Sequence, residues 1–389
     1  MKKNVLFVVD ERRMGGVSVL LEDMLNMIEL KKYNIDILCL HDNGEKLNDL
    51  PEGVNLIFGS KYFETVDFSI NEVLKSKNVI KIFNKLRLIF EMKTGLIKRS
   101  IKKERKKILN KEYDVEIAFK DGFTAIFTIF GHSKKKVHWL HYEYLKTNPN
   151  KNYDKLFKTI LPKFDKIIAV SKGVEDAFNN IYHLEKLTSV IYNLIDTEKI
   201  KKKSQEKVEE KLSAKDINIV SVGRLHPMKG YERLIEAMNI LKENKKLPKN
   251  LKVRIYGDGP IRNLLDEKIK EYKLTNIIKL MGQTMNPYKY LKGNDLFILP
   301  SHYEPFGLVM VEAMTVNVPV MATENAATSK IINHKENGYI TENSTKGIEE
   351  GLLYLLSNLD ELKKYQKNLK NYKYENEKII KQIENVLDN

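Results

Sequence analysis

The chain has 389 residues, 42% of them hydrophobic, with a formal net charge of +15 and a single cysteine. That length exceeds one ordinary core and points to two domains. No apolar run reaches the roughly 18 residues that span a bilayer, and one cysteine makes no intrachain disulfide, which fits a reducing cytoplasm.

The N-terminus, "MKKNVLFVVDERRMGG", has the outline of an export signal. Yet "VLFVV" is only strand-length and charges follow at once, so it reads as a first buried strand. Further strands are expected at 33–40, 54–58, 113–119, 135–141, 164–171 and 187–193, with helices between them, including 18–32. Short, nearly continuous apolar strands between helices signal a parallel sheet covered on both faces.

One stretch carries most of the excess charge. Between Lys75 and Lys107 there are thirteen Lys/Arg against Glu91 and Glu104, 13 − 2 = +11. Val79, Ile82, Phe83, Leu86 and Phe90 follow helical spacing in the same stretch. Such a basic amphipathic helix suits an anionic membrane surface. A helix packed on its own core with a solvated basic back, or a nucleic-acid contact, are the other readings.

Residues 196–216 are highly charged with little apolar periodicity and read as an interdomain linker. The alternation then restarts: strands at 217–222, 251–257, 277–282, 295–301 and 319–323, helices at 231–243, 261–272, 287–293 and 308–317, then a helix-rich tail. Two doubly wound domains would face each other across a cleft. Ligands of such sheets bind at the strand carboxyl ends, where helix N-termini present free N–H groups.

The chemistry-bearing motifs fall at those turns. "FVVDERRMGG" places Gly15 and Gly16 between the first strand and its helix, where backbone can approach a phosphate. "SVGRLHPMKG" puts Gly223 at a tight turn and Arg224 and Lys229 on the loop that follows, a fork and a point charge that suit a diphosphate. "SHYEPFGLVMVEAM" carries Glu304 and Glu312. Glu304 precedes a proline and so belongs to the loop; Gly307 lets the chain enter the helix of Glu312. Paired carboxylates can serve acid/base catalysis, a metal, or hydroxyl recognition. No D-x-D pair and no His/Cys cluster with metal spacing occurs, so no metal is expected, and hydroxyl recognition is the preferred reading.

The glycine pair, G-R-x-x-x-x-K-G and E-P-F-G-L-V-x-V-E-A-M, in this order, resemble the retaining GT-B glycosyltransferases of family four, bacterial cell-surface type. Supporting stretches are "IIAVSKGV", "VIYNLIDTEKI", "YGDGP" and "HKENGYI". The resemblance implies an α/β fold of two Rossmann-like domains: 1–196 with a final crossing helix about 371–389 for the acceptor, and 197–370 for the nucleotide sugar. It gives Arg224 and Lys229 to the donor diphosphate, Glu312 to the ribose and Glu304 to the donor sugar. Gly223 belongs to the same donor loop, the backbone of Phe306, Gly307 and Leu308 would meet sugar and phosphate, and Gly16 would face the phosphate. His141, in "VHWLHYEYL", matches a histidine facing the reacting sugar; His138 is an equal rival in sequence.

The expected activity is transfer of a hexose from a nucleotide diphosphate, UDP rather than GDP, to a surface glycan or lipid-linked acceptor. It would proceed with retention, with no cofactor or metal. The expected place is the cytoplasm, peripheral on the inner membrane face through residues 75–107, with no nucleic acid as partner. A non-hydrolysing sugar-nucleotide epimerase and a non-catalytic membrane-surface binder are the alternatives.

Overall fold

The computed structural model describes residues 2–11, 16–42, 50–66, 68–141, 154–209, 212–325 and 327–389. The chain divides into two compact units, Met1–Leu194 with Asn376–Asn389, and Ile195–Glu375. Each is built on one parallel sheet.

In the first unit the elements run β1 (Lys3–Glu11), α1 (Gly16–Met27), β2 (Tyr33–His41), β3 (Asn55–Phe58), α2 (Ile70–Lys75), α3 (Val79–Thr94), α4 (Ile97–Ile108), β4 (Val115–Ala118), α5 (Phe123–Ile129), β5 (Lys135–Leu140), α6 (Asp154–Ile160), β6 (Lys166–Ala169), α7 (Lys172–Tyr182) and β7 (Thr188–Val190). The sheet order is β3-β2-β1-β4-β5-β6-β7. Val5, Leu6, Phe7 and Val8 are all fully buried, because helices cover both faces; this is why β1 is apolar without alternation. β1 and β2 run in register from Lys3↔Tyr33 to Glu11↔His41. The chain winds outward to β3 and then returns to the other side of β1 with β4. The carboxyl ends of β1 and β4 therefore stand side by side at the point where the winding reverses, the usual place for a ligand.

The second unit repeats the plan with α8 (Thr197–Lys203), β8 (Ile217–Val222), α9 (Tyr231–Glu243), β9 (Leu251–Tyr256), α10 (Arg262–Glu271), β10 (Ile278–Gly282), α11 (Tyr288–Leu291), β11 (Leu296–Leu299), α12 (Leu308–Thr315), β12 (Val320–Thr323), α13 (Thr328–Ile331), β13 (Gly338–Thr341), α14 (Thr345–Ser357) and α15 (Leu359–Leu369). Its order, β10-β9-β8-β11-β12-β13, reverses between β8 and β11. Leu234, Ile235, Met238 and Leu241 of α9 pack with Ile219, Val253 and Ile255 of the strands and Ile348, Leu352 and Leu355 of α14 in one core.

The last helix, α16 (Asn376–Asp388), belongs to the first unit. Its buried face is Ile379, Ile383, Val386 and Leu387, at helical spacing. The Lys135 ammonium donates to the Val386 carbonyl (2.5 Å) and the Tyr33 hydroxyl to Asp388 (2.9 Å).

Several elements differ from the sequence reading. The helix expected over 18–32 ends at Met27, and Leu30–Lys32 form a separate 3-10 turn. Glu29 leaves helical geometry at ψ 81°, and Ile28 before it and Tyr33 after it are both buried. The charged stretch 196–216 is not all linker. Asp196 caps α8 by accepting from the Lys199 N–H (2.8 Å), and Ile200 anchors it. The helix expected over 308–317 stops at Thr315, and the closing helix starts at Asn376 rather than 371. The basic segment holds two helices, α3 and α4, just after the end of α2 at Lys75, with Gly95 at φ +77° ending α3.

Candidate functional site

In the second unit β8 runs into Gly223 and Arg224. Gly223, expected at a tight turn, is not at positive φ. Its need is room: a Cβ there would lie 2.8 Å from the Tyr231 hydroxyl. Arg224 is exposed just beyond the strand. A 3-10 turn, Pro227–Lys229, and Gly230 at φ +66° then lead into α9. Gly230 lies so close to the neighbouring strand end that a Cβ would sit 2.0 Å from the Pro300 carbonyl.

That approach brings the two motifs together. The Lys229 ammonium lies 2.6 Å from a Glu304 carboxylate oxygen, and the Ser301 hydroxyl donates to the same oxygen at 3.3 Å. Glu304 is buried and Lys229 half-buried, so this pair is less screened than a surface one. The loop that carries Glu304 is held from behind. The buried Arg233 donates to the Pro300 carbonyl (2.7 Å) and to the Asn343 carbonyl (3.1 Å) and side chain (2.9 Å). Asn343 in turn donates to the His302 (2.9 Å) and Glu324 (3.0 Å) carbonyls.

Gly307, at φ +82°, opens α12; a Cβ would lie 2.3 Å from the Met310 methyl. Phe306 is buried beside it, and Leu308 begins the helix. Met310, Val311, Ala313 and Met314 bury the helix on most sides, leaving Glu312 on a partly exposed face one turn in. Lys229 and Glu304 are thus in contact, while Arg224 and the α12 start occupy the same carboxyl edge, after β8 and β11.

In the first unit an ion pair joins Asp10, near the end of β1, to Lys120, just past β4, across the reversal point. Gly16 is the first residue of α1, while Gly15 lies outside the described residues. His138 sits inside β5, fully buried, stacked on Phe164 with ring centroids 5.3 Å apart and its Nε2 3.8 Å from Asp121. His141 follows the end of β5, its backbone N–H donating to Asp121 (3.3 Å) and its ring 4.8 Å from Phe119. Neither His141 ring nitrogen has a hydrogen-bond partner among the described residues. Burial drives both imidazoles down to about 3; for His141 the neighbouring His138 and Lys120 add to it. Both rings are therefore neutral at physiological pH. Residues 142–145 of the same stretch lie outside the described residues.

The Asp10–Lys120 pair, Asp121 and the Arg233–Asn343 brace escaped the sequence reading. The first two lie at or just past the carboxyl ends of apolar strands at a winding reversal, a signal that could have found them. The brace joins residues 110 apart and leaves no local mark. Among the described residues no group of three or more His, Cys, Asp and Glu could hold a metal ion.

Two family models match, Glycosyltransferase Family 4 over residues 14–199 and Glycosyl transferases group 1 over residues 202–375. Over 229 residues the chain is 33% identical to an N-acetylgalactosamine-N,N'-diacetylbacillosaminyl-diphospho-undecaprenol 4-alpha-N-acetylgalactosaminyltransferase of Campylobacter jejuni, covering 58% of this chain and 60% of that one. The matched stretches span between 37% and 60% of the first three curated relatives. Among solved structures, HepE of Anabaena, crystallised with UDP and glucose, shares the fold at TM-score 0.72 and 18% identity over 99% of both chains. A glycosyltransferase of Rickettsia africae matches at TM-score 0.71 and 20% identity, over 100% of this chain and 99% of that one. With one family model on each half and the same fold over the full length, the chain belongs to the GT-B glycosyltransferases of family 4.

Proposed function

We propose that the protein transfers a hexosyl unit from a UDP-sugar to a cell-surface glycan or lipid-linked acceptor, with retention and without a metal. The observation that carries this reading is the Lys229–Glu304 pair at the carboxyl edge of the second sheet, with Arg224 and the N-terminal end of α12 on the same edge. Departure of a nucleoside diphosphate builds negative charge, and two fixed cations with a helix N-terminus stabilise it where it forms. In this reading Arg224 and Lys229 hold the diphosphate, and Glu312 takes the ribose hydroxyls. Glu304 takes sugar hydroxyls once the diphosphate competes for Lys229, and Gly223, Phe306, Gly307 and Leu308 bring backbone close. A front-face route, in which the leaving phosphate accepts the acceptor proton, needs no protein nucleophile.

The first unit is the proposed acceptor side, with Gly16 toward phosphate and His141 toward the transferred sugar. The reading favours His141 because it lies past the strand end while His138 is enclosed within it. A neutral imidazole there can donate or accept one hydrogen bond without placing a cation next to a developing oxocarbenium. The crystallised HepE complex supports a UDP-sugar donor, and the Campylobacter relative's name supports a lipid-diphosphate acceptor. The proposed place is the cytoplasmic face of the membrane, reached through the basic segment. Among the described residues no helix is long and apolar enough to cross a membrane.

A thermal-shift screen of UDP, GDP and ADP sugars tests the donor. UDP-sugars should raise Tm by mass action, and should still do so after EDTA. No stabilisation by any nucleotide, or stabilisation and turnover that vanish with EDTA and return with magnesium, would overturn the reading.

A further inference from the structure

Helix α3 is turned the wrong way for a helix that only serves its own core. Its buried side carries Lys85, Leu88, Glu91 and Met92. The Lys85 ammonium is satisfied by the Thr65 carbonyl (2.9 Å), and Glu91 by Arg87 (2.8 Å) and the Tyr62 hydroxyl. Its outer side carries Val79, Phe83, Leu86 and Phe90, between 52% and 78% exposed. These positions are i, i+4, i+7 and i+11, a single stripe about 16 Å long. Ile80 stands beside it, Ile70 and Leu74 of α2 precede it, and Leu96 follows. Eight of the thirteen exposed large hydrophobics in the described residues thus fall in one short stretch, whereas scattered single ones need no explanation. The alternative of a core-facing apolar side with a solvated basic back does not hold for this helix.

The charge around the stripe says what covers it. Lys75, Lys77, Lys93, Lys98, Arg99 and Lys106 are exposed within or beside α2, α3 and α4, in the segment that holds +11 of the chain's +15. A second copy of the chain would bring two such basic surfaces face to face. Phosphates of a nucleic acid would satisfy the lysines and leave the phenylalanines in water. An anionic bilayer offers both an apolar layer and negative headgroups.

We propose that α3 is a membrane wedge: Phe83, Leu86 and Phe90 enter the headgroup–acyl boundary of an anionic bilayer, and the flanking cations meet lipid phosphates. Helix α4 has a different part. Its apolar Ile97 and Ile101 are buried, and its Arg105 is buried against Glu116 (2.7 Å) and over the Phe127 ring. It is an internal strut whose outer lysines add electrostatic attraction only. This assignment rests on the membrane placement proposed above, and it is tested independently of the donor site, which lies in the other unit.

The test is co-sedimentation of the full chain with vesicles of neutral phosphatidylcholine, or of phosphatidylcholine mixed with phosphatidylglycerol, at low and high salt. The exposed triple variant Phe83→Ser/Leu86→Ser/Phe90→Ser should fold as wild type, with unchanged thermal unfolding, and should lose at least about tenfold in partitioning onto anionic vesicles at both salts. Lys98→Gln/Arg99→Gln/Lys106→Gln should weaken binding mainly at low salt. Equal partitioning of wild type and triple variant overturns the proposal, as does failure of wild type to bind anionic vesicles. So does a wild-type dimer that the triple variant converts to monomer, since the stripe would then be an interface between copies.

Discussion

The buried histidines make the first unit's stability depend on pH in a way that can be worked out. Both imidazoles are held far below their ordinary value of 6.5, to about 3, chiefly by burial. Well above pH 6.5 folded and unfolded chains are both neutral at these rings. Below it only the unfolded chain takes the proton, so stability falls as pH drops from 6.5 toward 3. From pH 7 to pH 5 the unfolded ring goes from about one-quarter to almost fully protonated, and each histidine removes about 1.9 kcal/mol. The chain's single tryptophan, Trp139, lies buried next to His138 in β5, so its fluorescence follows the unfolding of this unit. Urea unfolding should be measured at pH 7 and pH 5 for wild type and for His138→Gln. The variant's loss between the two pH values should be smaller by about 1.9 kcal/mol, whatever the substitution does to stability at pH 7. An equal loss in both proteins would show that His138 titrates in the folded chain, and the burial argument would fail.

Three further substitutions probe the scaffold. Arg105→Met leaves Glu116, which burial already pushes above the usual carboxylate range, without its cation; it should cost about 3–5 kcal/mol at pH 7 by Trp139 fluorescence, and less under mild acid. Gly307→Ala forces a side chain into a left-handed φ and against Met310, and should lower the second unit's stability by about 1–3 kcal/mol in calorimetry. Arg233→Met removes the brace behind the Glu304 loop. It should reduce sugar transfer by about tenfold or more, with donor KM raised as well as kcat lowered; unchanged KM and kcat would mean the loop holds its place without it.

The strands were legible because parallel, doubly covered strands must be apolar at every position, as "VLFVV" is. The motif loops could be picked out because Gly, Arg, Lys and Glu stand in the loops that follow such strands. What escaped has physical reasons too. β13 starts with glycine, and its Tyr339 and Ile340 are only partly buried, so it lacks the continuous apolar run of the doubly covered strands. Helix α8 hides in a charged run, its Asp196 cap and the single buried Ile200 the only marks. The direction of α3 could not be read from its pattern, since an apolar stripe looks the same whether it faces a core or a membrane. Only the buried Lys85 and Glu91 reveal it. Sequence offered Lys229 and Glu304 as separate candidates; their contact depends on Gly230 letting two strand ends approach, which no local pattern records. That His141 lies past the end of β5 while His138 lies within it likewise depends on where the strand stops, which the sequence pattern does not mark.

The central claim is that the carboxyl edge of the second sheet grips a nucleoside diphosphate through Arg224, Lys229 and Glu312. Isothermal titration of UDP into wild type and into Glu312→Ala and Arg224→Ala, all in EDTA, addresses it directly. The account predicts saturable binding to wild type and at least about tenfold weaker binding to each variant. Equal affinity in all three proteins, or no UDP binding by the wild type, would contradict it.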